Sequence, residues 1–127
     1  MMKTFSFEQL TVWQQAHAFV LEVYKITKQF PKEEIYGLTS QFKRAAVSIA
    51  ANIAEGYRKR GIKDKLRYYN ISQGSADECL YYIILSRDLG FITTEVYEQL
   101  NNQLDLVSRL LNSYCQGIIK KSGEKVD

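Results

Sequence analysis

Apolar residues recur at steps of three and four along four stretches of the chain, the period of an α-helix with one buried stripe. The first stretch covers about residues 8–29, with Leu10, Trp13, His17, Val20, Tyr24 and Thr27 on its main seam. It closes at Phe30-Pro31, because the residue before a proline is pushed out of helical geometry and proline lacks the N–H that continuation needs. The second stretch covers about residues 36–55. Its stripe is Leu38, Phe42, Ala45, Ala46, Ile49, Asn52 and Ile53, and it is rich in small residues that allow close helix approach. Gly56 is read as its stop signal, and the segment from Gly56 to Gly61 as a basic linker.

The third stretch covers about residues 63–88, with Leu66, Tyr69, Gln73, Ala76, Leu80, Ile83 and Arg87 on one face. Gly74 inside it suggests a close helix crossing, and Gly90 ends it. Thr93 or Thr94 caps a fourth helix over about residues 94–117, with Glu95 in its first turn. Val96, Leu100, Gln103, Val107, Leu110 and Tyr114 form its seam, and residues 118–127 read as a polar, frayed tail. No stretch alternates with a period of two. Four amphipathic helices with short connections predict an all-α fold, an antiparallel up-down-up-down four-helix bundle in a single domain over residues 1–127.

The size and composition agree with that reading. The chain has 127 residues, 46% apolar and 24% charged, enough apolar surface for one core. Cys79 and Cys115 both lie in apolar stretches and read as buried thiols in a reducing compartment rather than a disulfide framework. Residues 1–10 hold no apolar run of the signal-peptide kind, and no uncharged stretch approaches the ~20 residues of a membrane span. A cytoplasmic protein without membrane contact is the expectation.

Catalysis finds little support in the residues. His17 is the only histidine, which rules out a paired-histidine metal site, and it is expected half-buried on the apolar face of its helix. No Glu-x-x-His pair, glycine-rich phosphate loop or Gly-x-Ser-x-Gly elbow is present. Glu55, Asp77 and Glu78 are carboxylates with no evident convergence. The chain is therefore expected to be no enzyme and to need no metal or cofactor.

Charge placement is more informative. Residues 42–67 carry eight basic side chains, Lys43, Arg44, Arg58, Lys59, Arg60, Lys63, Lys65 and Arg67, against Glu55 and Asp64. The rest of the chain is net negative, although the whole is +3. Tyr57, Tyr68 and Tyr69 interleave with the cations. This pattern suits phosphate contacts through the eight cations, with Tyr57 and Tyr68 stacking on unpaired bases. The alternative is a solvated helix end that serves solubility. Asn52, Glu55 and Gly56 are assigned structural roles at the end of the second helix, with the Asn52 amide buried and hydrogen-bonded.

Two helices look too apolar for one small bundle. Val12, Phe19, Leu21, Val23 and Ile26 lie outside the first seam, and the Leu80–Leu85 run surrounds most of the third helix. The excess argues for a homo-oligomer.

The motifs FEQLTVWQQA (7–16), FPKEE (30–34), YGLTSQ (36–41), RAAVSI (44–49), NIAEG (52–56) and DLGFI (88–92) occur in this order. Together they resemble the S23 ribosomal protein or 23S rRNA intervening-sequence protein family, over about residues 7–111. Ala50 stands where members of that family often carry proline, which predicts a straighter second helix here. The resemblance implies a four-helix bundle that assembles as a homopentamer in bacteria, with a biochemical role largely undetermined. A related branch, the accessory protein of diversity-generating retroelements, implies a positive pentameric surface for nucleic acid and a reverse transcriptase. The leading functional reading is thus a non-enzymatic oligomer that binds structured RNA. Its rival is an oligomeric scaffold that recruits another protein.

Overall fold

The computed structural model describes residues 6–123. Four α-helices account for most of them: α1 (Thr11–Thr27), α2 (Leu38–Arg58), α3 (Ile62–Asp88) and α4 (Thr94–Ser122). Short 3-10 turns, Phe7–Gln9 and Lys32–Glu34, precede α1 and α2, and the described residues include no strand. Each helix packs on its two neighbours in a closed square, α1 on α2, α2 on α3, α3 on α4 and α4 on α1. The α2–α3 contacts run in opposite residue order: Tyr69 meets Gly56, Ser72 meets Ile49, Ser75 meets Ser48 and Tyr82 meets Gln41.

Local signals set most of the boundaries. The Thr93 hydroxyl accepts the Val96 amide at 3.1 Å and starts α4. Gly90 adopts a left-handed φ of 78° after α3. Its amide and that of Phe91 return to the Arg87 and Ser86 carbonyls, a Schellman closure. Phe91 then packs against Phe30 with ring centroids 5.4 Å apart, so the α3–α4 turn is pinned to the end of α1.

Several expectations are corrected. The buried face of α1 is Val12, Ala16, Phe19, Val23 and Thr27, one position round from the seam read off the sequence. Three residues counted as surplus, Val12, Phe19 and Val23, are core, whereas His17 is exposed and stacks on Trp13 at 4.9 Å. The reason is that α1 is apolar on two adjoining stripes, and only its two packing partners choose between them. On α3 the buried set is Tyr69, Ser72, Ser75, Ala76, Cys79, Ile83 and Ser86, so Leu80 and Arg87 face outward. On α4 the buried set is Leu100, Leu104, Val107, Leu111 and Cys115, and the helix continues to Ser122 rather than ending near residue 117. Residues 118–122 of the expected tail are therefore helical, and 124–127 lie outside the described residues.

Gly56 and Gly74 exchange the roles expected of them. Gly74 is exposed, with nothing within 4 Å of a Cβ placed on it. Gly56 does not end α2, which runs two residues further to Arg58. A Cβ on Gly56 would lie 2.6 Å from Cε1 of the fully buried Tyr69 ring. Glycine is needed there because the ring occupies the space of a side chain. The linker shrinks accordingly to Lys59, Arg60 and Gly61.

Serines fasten α2 to α3. The buried Ser72 hydroxyl donates to the Ile49 carbonyl at 2.9 Å, and Ser75 donates to the Ser48 hydroxyl at 2.8 Å. The Asn52 amide, half-buried rather than fully buried, donates to the Ser48 carbonyl and hydroxyl at 2.9 and 3.0 Å. It therefore joins this ladder from within its own helix. The Tyr69 hydroxyl is buried and makes no hydrogen bond of ordinary geometry among the described residues. Burial and the nearby Tyr114 raise its titration far above the ordinary tyrosine range.

Gly56→Ala is expected to destabilise the fold by about 1–3 kcal/mol, since a rigid core ring must move. Tyr69→Phe is expected to be neutral or stabilising, because it removes a buried polar group that lacks a partner. Thermal melts of the two variants check this pair, and the opposite ranking would refute the packing account.

Candidate nucleic-acid interface

The eight cations between residues 42 and 67 do not form one surface. Lys43 and Arg44 lie on the N-terminal half of α2, whereas Arg58 is in its last turn. At 1.5 Å per residue the two groups stand ~22 Å apart along one helix. The cations thus divide between the α2–α3 turn and a groove between α1 and α2.

At the turn, three of the six cations are engaged by the protein itself. The Lys65 ammonium donates to the carbonyls of Tyr57 (2.7 Å) and Gly56 (3.2 Å). It therefore satisfies the last carbonyls of α2, where the helix dipole favours a cation. Burial lowers its pKa below the ordinary lysine value. Lys65 is in this way a capping residue rather than a free phosphate contact. Lys59 lies 3.8 Å from the Glu55 carboxylate and 5.1 Å from the Tyr68 ring centroid. Arg67 lies 3.8 Å from Asp64 and 5.3 Å from the same ring. Glu55 is exposed, and its structural contribution is limited to this surface pair.

The tyrosines are engaged as well. Tyr68 is half-buried with both Lys59 and Arg67 against its ring. Tyr57 is half-buried with the Lys65 ammonium 5.5 Å from its centroid. Neither is an open stacking platform, because the cations that flank them in sequence fold onto them. Arg58, Arg60 and Lys63 remain. All three are exposed and take part in no ion pair among the described residues. They project from the end of a helical hairpin held by the Gly56–Tyr69 contact and the Lys65 cap.

The second basic surface was only half legible in the sequence. Lys43 and Arg44 line a groove of about 930 Å³ together with Lys28 and Lys32, which come from the end of α1 and the turn after it. The Lys43 ammonium sits 4.7 Å from the Tyr24 ring centroid. Lys28 and Lys32 are separated from Lys43 by more than ten residues, so a count along the chain misses them. Pairing the first two helices across the turn at Pro31 would have brought them together.

The two cysteines lie away from both basic surfaces. Burial pushes the thiols of both Cys79 and Cys115 up from the ordinary cysteine value, far up at Cys79, where the Glu78 carboxylate adds to the shift. A thiol so shifted is a poor nucleophile at neutral pH. No cluster of three or more His, Cys, Asp or Glu occurs among the described residues. No described helix is long and apolar enough to cross a membrane.

Comparison with known proteins places these surfaces in context. Residues 8–113 match the family model of the 23S rRNA-intervening sequence protein. Among solved structures, the chain is similar to a protein of unknown function from the S23 ribosomal protein family of Bacteroides thetaiotaomicron. The two are 26% identical, the match covers 83% of this chain and 98% of that one, and the TM-score is 0.77. No curated protein matches the chain.

Both cysteines are expected to resist iodoacetamide at neutral pH in the folded protein and to react fully once it is unfolded in denaturant. Mass spectrometry of the alkylated chain checks this, and rapid native labelling of Cys79 would contradict the buried environment described above.

Proposed function

Because the chain belongs to the 23S rRNA-intervening sequence protein family, we propose that it is a non-enzymatic, oligomeric nucleic-acid-binding protein for structured RNA. The observation that carries the reading is the α2–α3 turn, where Arg58, Arg60 and Lys63 stand exposed, without ion-pair partners among the described residues, on a rigid support. Three cations so held attract phosphates without first breaking internal salt bridges. The family's printed link to 23S rRNA intervening sequences supports RNA as the class of ligand.

On an up-down-up-down bundle this turn lies at one end of the molecule. A cyclic homo-oligomer, for which a pentamer is the favoured size, would repeat it once per subunit and merge the turns into a positive belt. Exposed apolar side chains supply candidate subunit contacts: Leu21 on α1 is 58% exposed, and Tyr81 on α3 is 57% exposed beside Leu80. We place the protein in the cytoplasm, with no membrane and no cofactor. The same apolar residues favour a second reading, an oligomeric scaffold that recruits another protein while the basic turn serves solubility.

Salt separates the two, since phosphate contacts weaken as counterions are reclaimed whereas an apolar interface does not. Gel shift with a hairpin RNA at two salt concentrations should show weak, largely sequence-independent binding that falls with salt. Replacing Arg58, Arg60 and Lys63 together with serine should leave the thermal midpoint in place and lower the salt slope by roughly 2–3. Light scattering should show an oligomer at micromolar concentration. No retention of RNA by the wild-type protein at low salt would favour the scaffold instead.

A further inference from the structure

The groove between α1 and α2 carries features that the turn does not. Its cationic lining, Lys28, Lys32, Lys43 and Arg44, includes no carboxylate; the anionic Glu34 side chain accepts the Leu38 amide at 3.0 Å at the start of α2. The first turn of α2 opens into the same groove through Thr39 and Ser40. The amides of these two residues find no backbone acceptor among the described residues, as expected of a helix N-terminus. Thr39 is the unusual member. It lines the groove while only 7% exposed, so it sits at the base, and its hydroxyl is shut off from solvent with no hydrogen-bond partner among the described residues; the hydroxyls of Tyr69 and Ser86 share that state, but neither lines this groove. A buried hydroxyl without a partner is an uncommon feature in a folded protein.

We propose that this groove binds a single-stranded segment of nucleic acid, with one phosphate seated over the first turn of α2. Rotation about χ1 gives the Thr39 hydroxyl a phosphate oxygen as the acceptor it lacks. The Thr39 and Ser40 amides add donors beside the Leu38 amide that Glu34 caps. Lys28 and Lys32 on one wall and Lys43 and Arg44 on the other take the adjoining phosphates. A groove of about 930 Å³ is far larger than a phosphate ion needs, and the Tyr24 ring that lines it already carries the Lys43 ammonium 4.7 Å from its centroid, so the groove takes the strand's phosphates rather than a stacked base. The inference rests on the nucleic-acid reading above, but it assigns single strands to a concave site ~22 Å along α2 from the turn that was assigned to structured RNA.

Fluorescence anisotropy of a labelled short oligouridylate, beside a hairpin RNA, tests it. Wild type should bind the oligouridylate with a salt-dependent affinity. Lys28→Ser with Lys32→Ser should weaken that binding about tenfold and lower its salt slope by roughly 1.4, at ~0.7 per single-strand phosphate. Thr39→Val should weaken it several-fold while the thermal midpoint stays level or rises, because the substitution removes an unpaired buried hydroxyl. A merely structural threonine would not separate affinity from stability in that way. Oligouridylate binding that Thr39→Val and the double lysine variant leave unchanged would overturn the groove and spare the RNA reading. The same holds if wild type binds the hairpin and not the oligouridylate, or if the groove variants alter the oligomeric state instead of affinity. Loss of hairpin binding in the serine triple variant with oligouridylate binding intact supports two separate sites.

Discussion

How closely α3 lies against α2 decides where this protein holds its charge. The Tyr69 ring fills the volume a side chain at position 56 would take, so the two helices can meet there only across a glycine. Because that contact lies within the last turn of α2, the helix continues to Arg58 and the chain has three residues in which to reverse. The reversal leaves carbonyls of Gly56 and Tyr57 within reach of Lys65, whose ammonium returns to cap them. A lysine drawn inward, two held by local carboxylates and three left in solvent are consequences of one close helix crossing.

The same closeness explains the polar residues in the core. Between the Tyr69 contact at Gly56 and the Tyr82–Phe42 contact, α3 meets the Ser48–Ile49 stretch of α2 with Ser72 and Ser75. Each serine finds an acceptor on α2, so their burial is satisfied across the interface. A third such group, Thr39, lies where α2 faces α1 instead and has no acceptor. The hydroxyls of Tyr69 and Ser86 on α3 are likewise buried without a partner among the described residues, and Thr39 differs from them in lining a cationic groove.

The two basic surfaces differ in shape as much as in position. The turn is convex, short and fixed at both ends, so it meets a phosphate backbone as a set of points. The groove is concave, with cations on two walls and an aromatic ring at its edge. Convex cations suit the outside of a folded RNA, and a lined groove suits a strand that can be drawn in.

The four helices, the breaks at Pro31 and Gly90 and the cap at Thr93 were all legible in the residues, because each depends on the backbone geometry of a few neighbours. The family was legible too, from motifs spread in order along the chain. Which stripe of α1 and α3 is core was not, because both helices carry apolar residues on more than one side and the choice belongs to their packing partners. Nor was the role of Gly56, which depends on a ring thirteen positions away. The sequence by itself determined which side chains are cationic and near which turn. Only the tertiary structure decided which of them are free, because the carbonyls and rings that engage Lys65, Lys59 and Arg67, and the helix that carries Lys28 to Lys43, arrive from elsewhere in the fold.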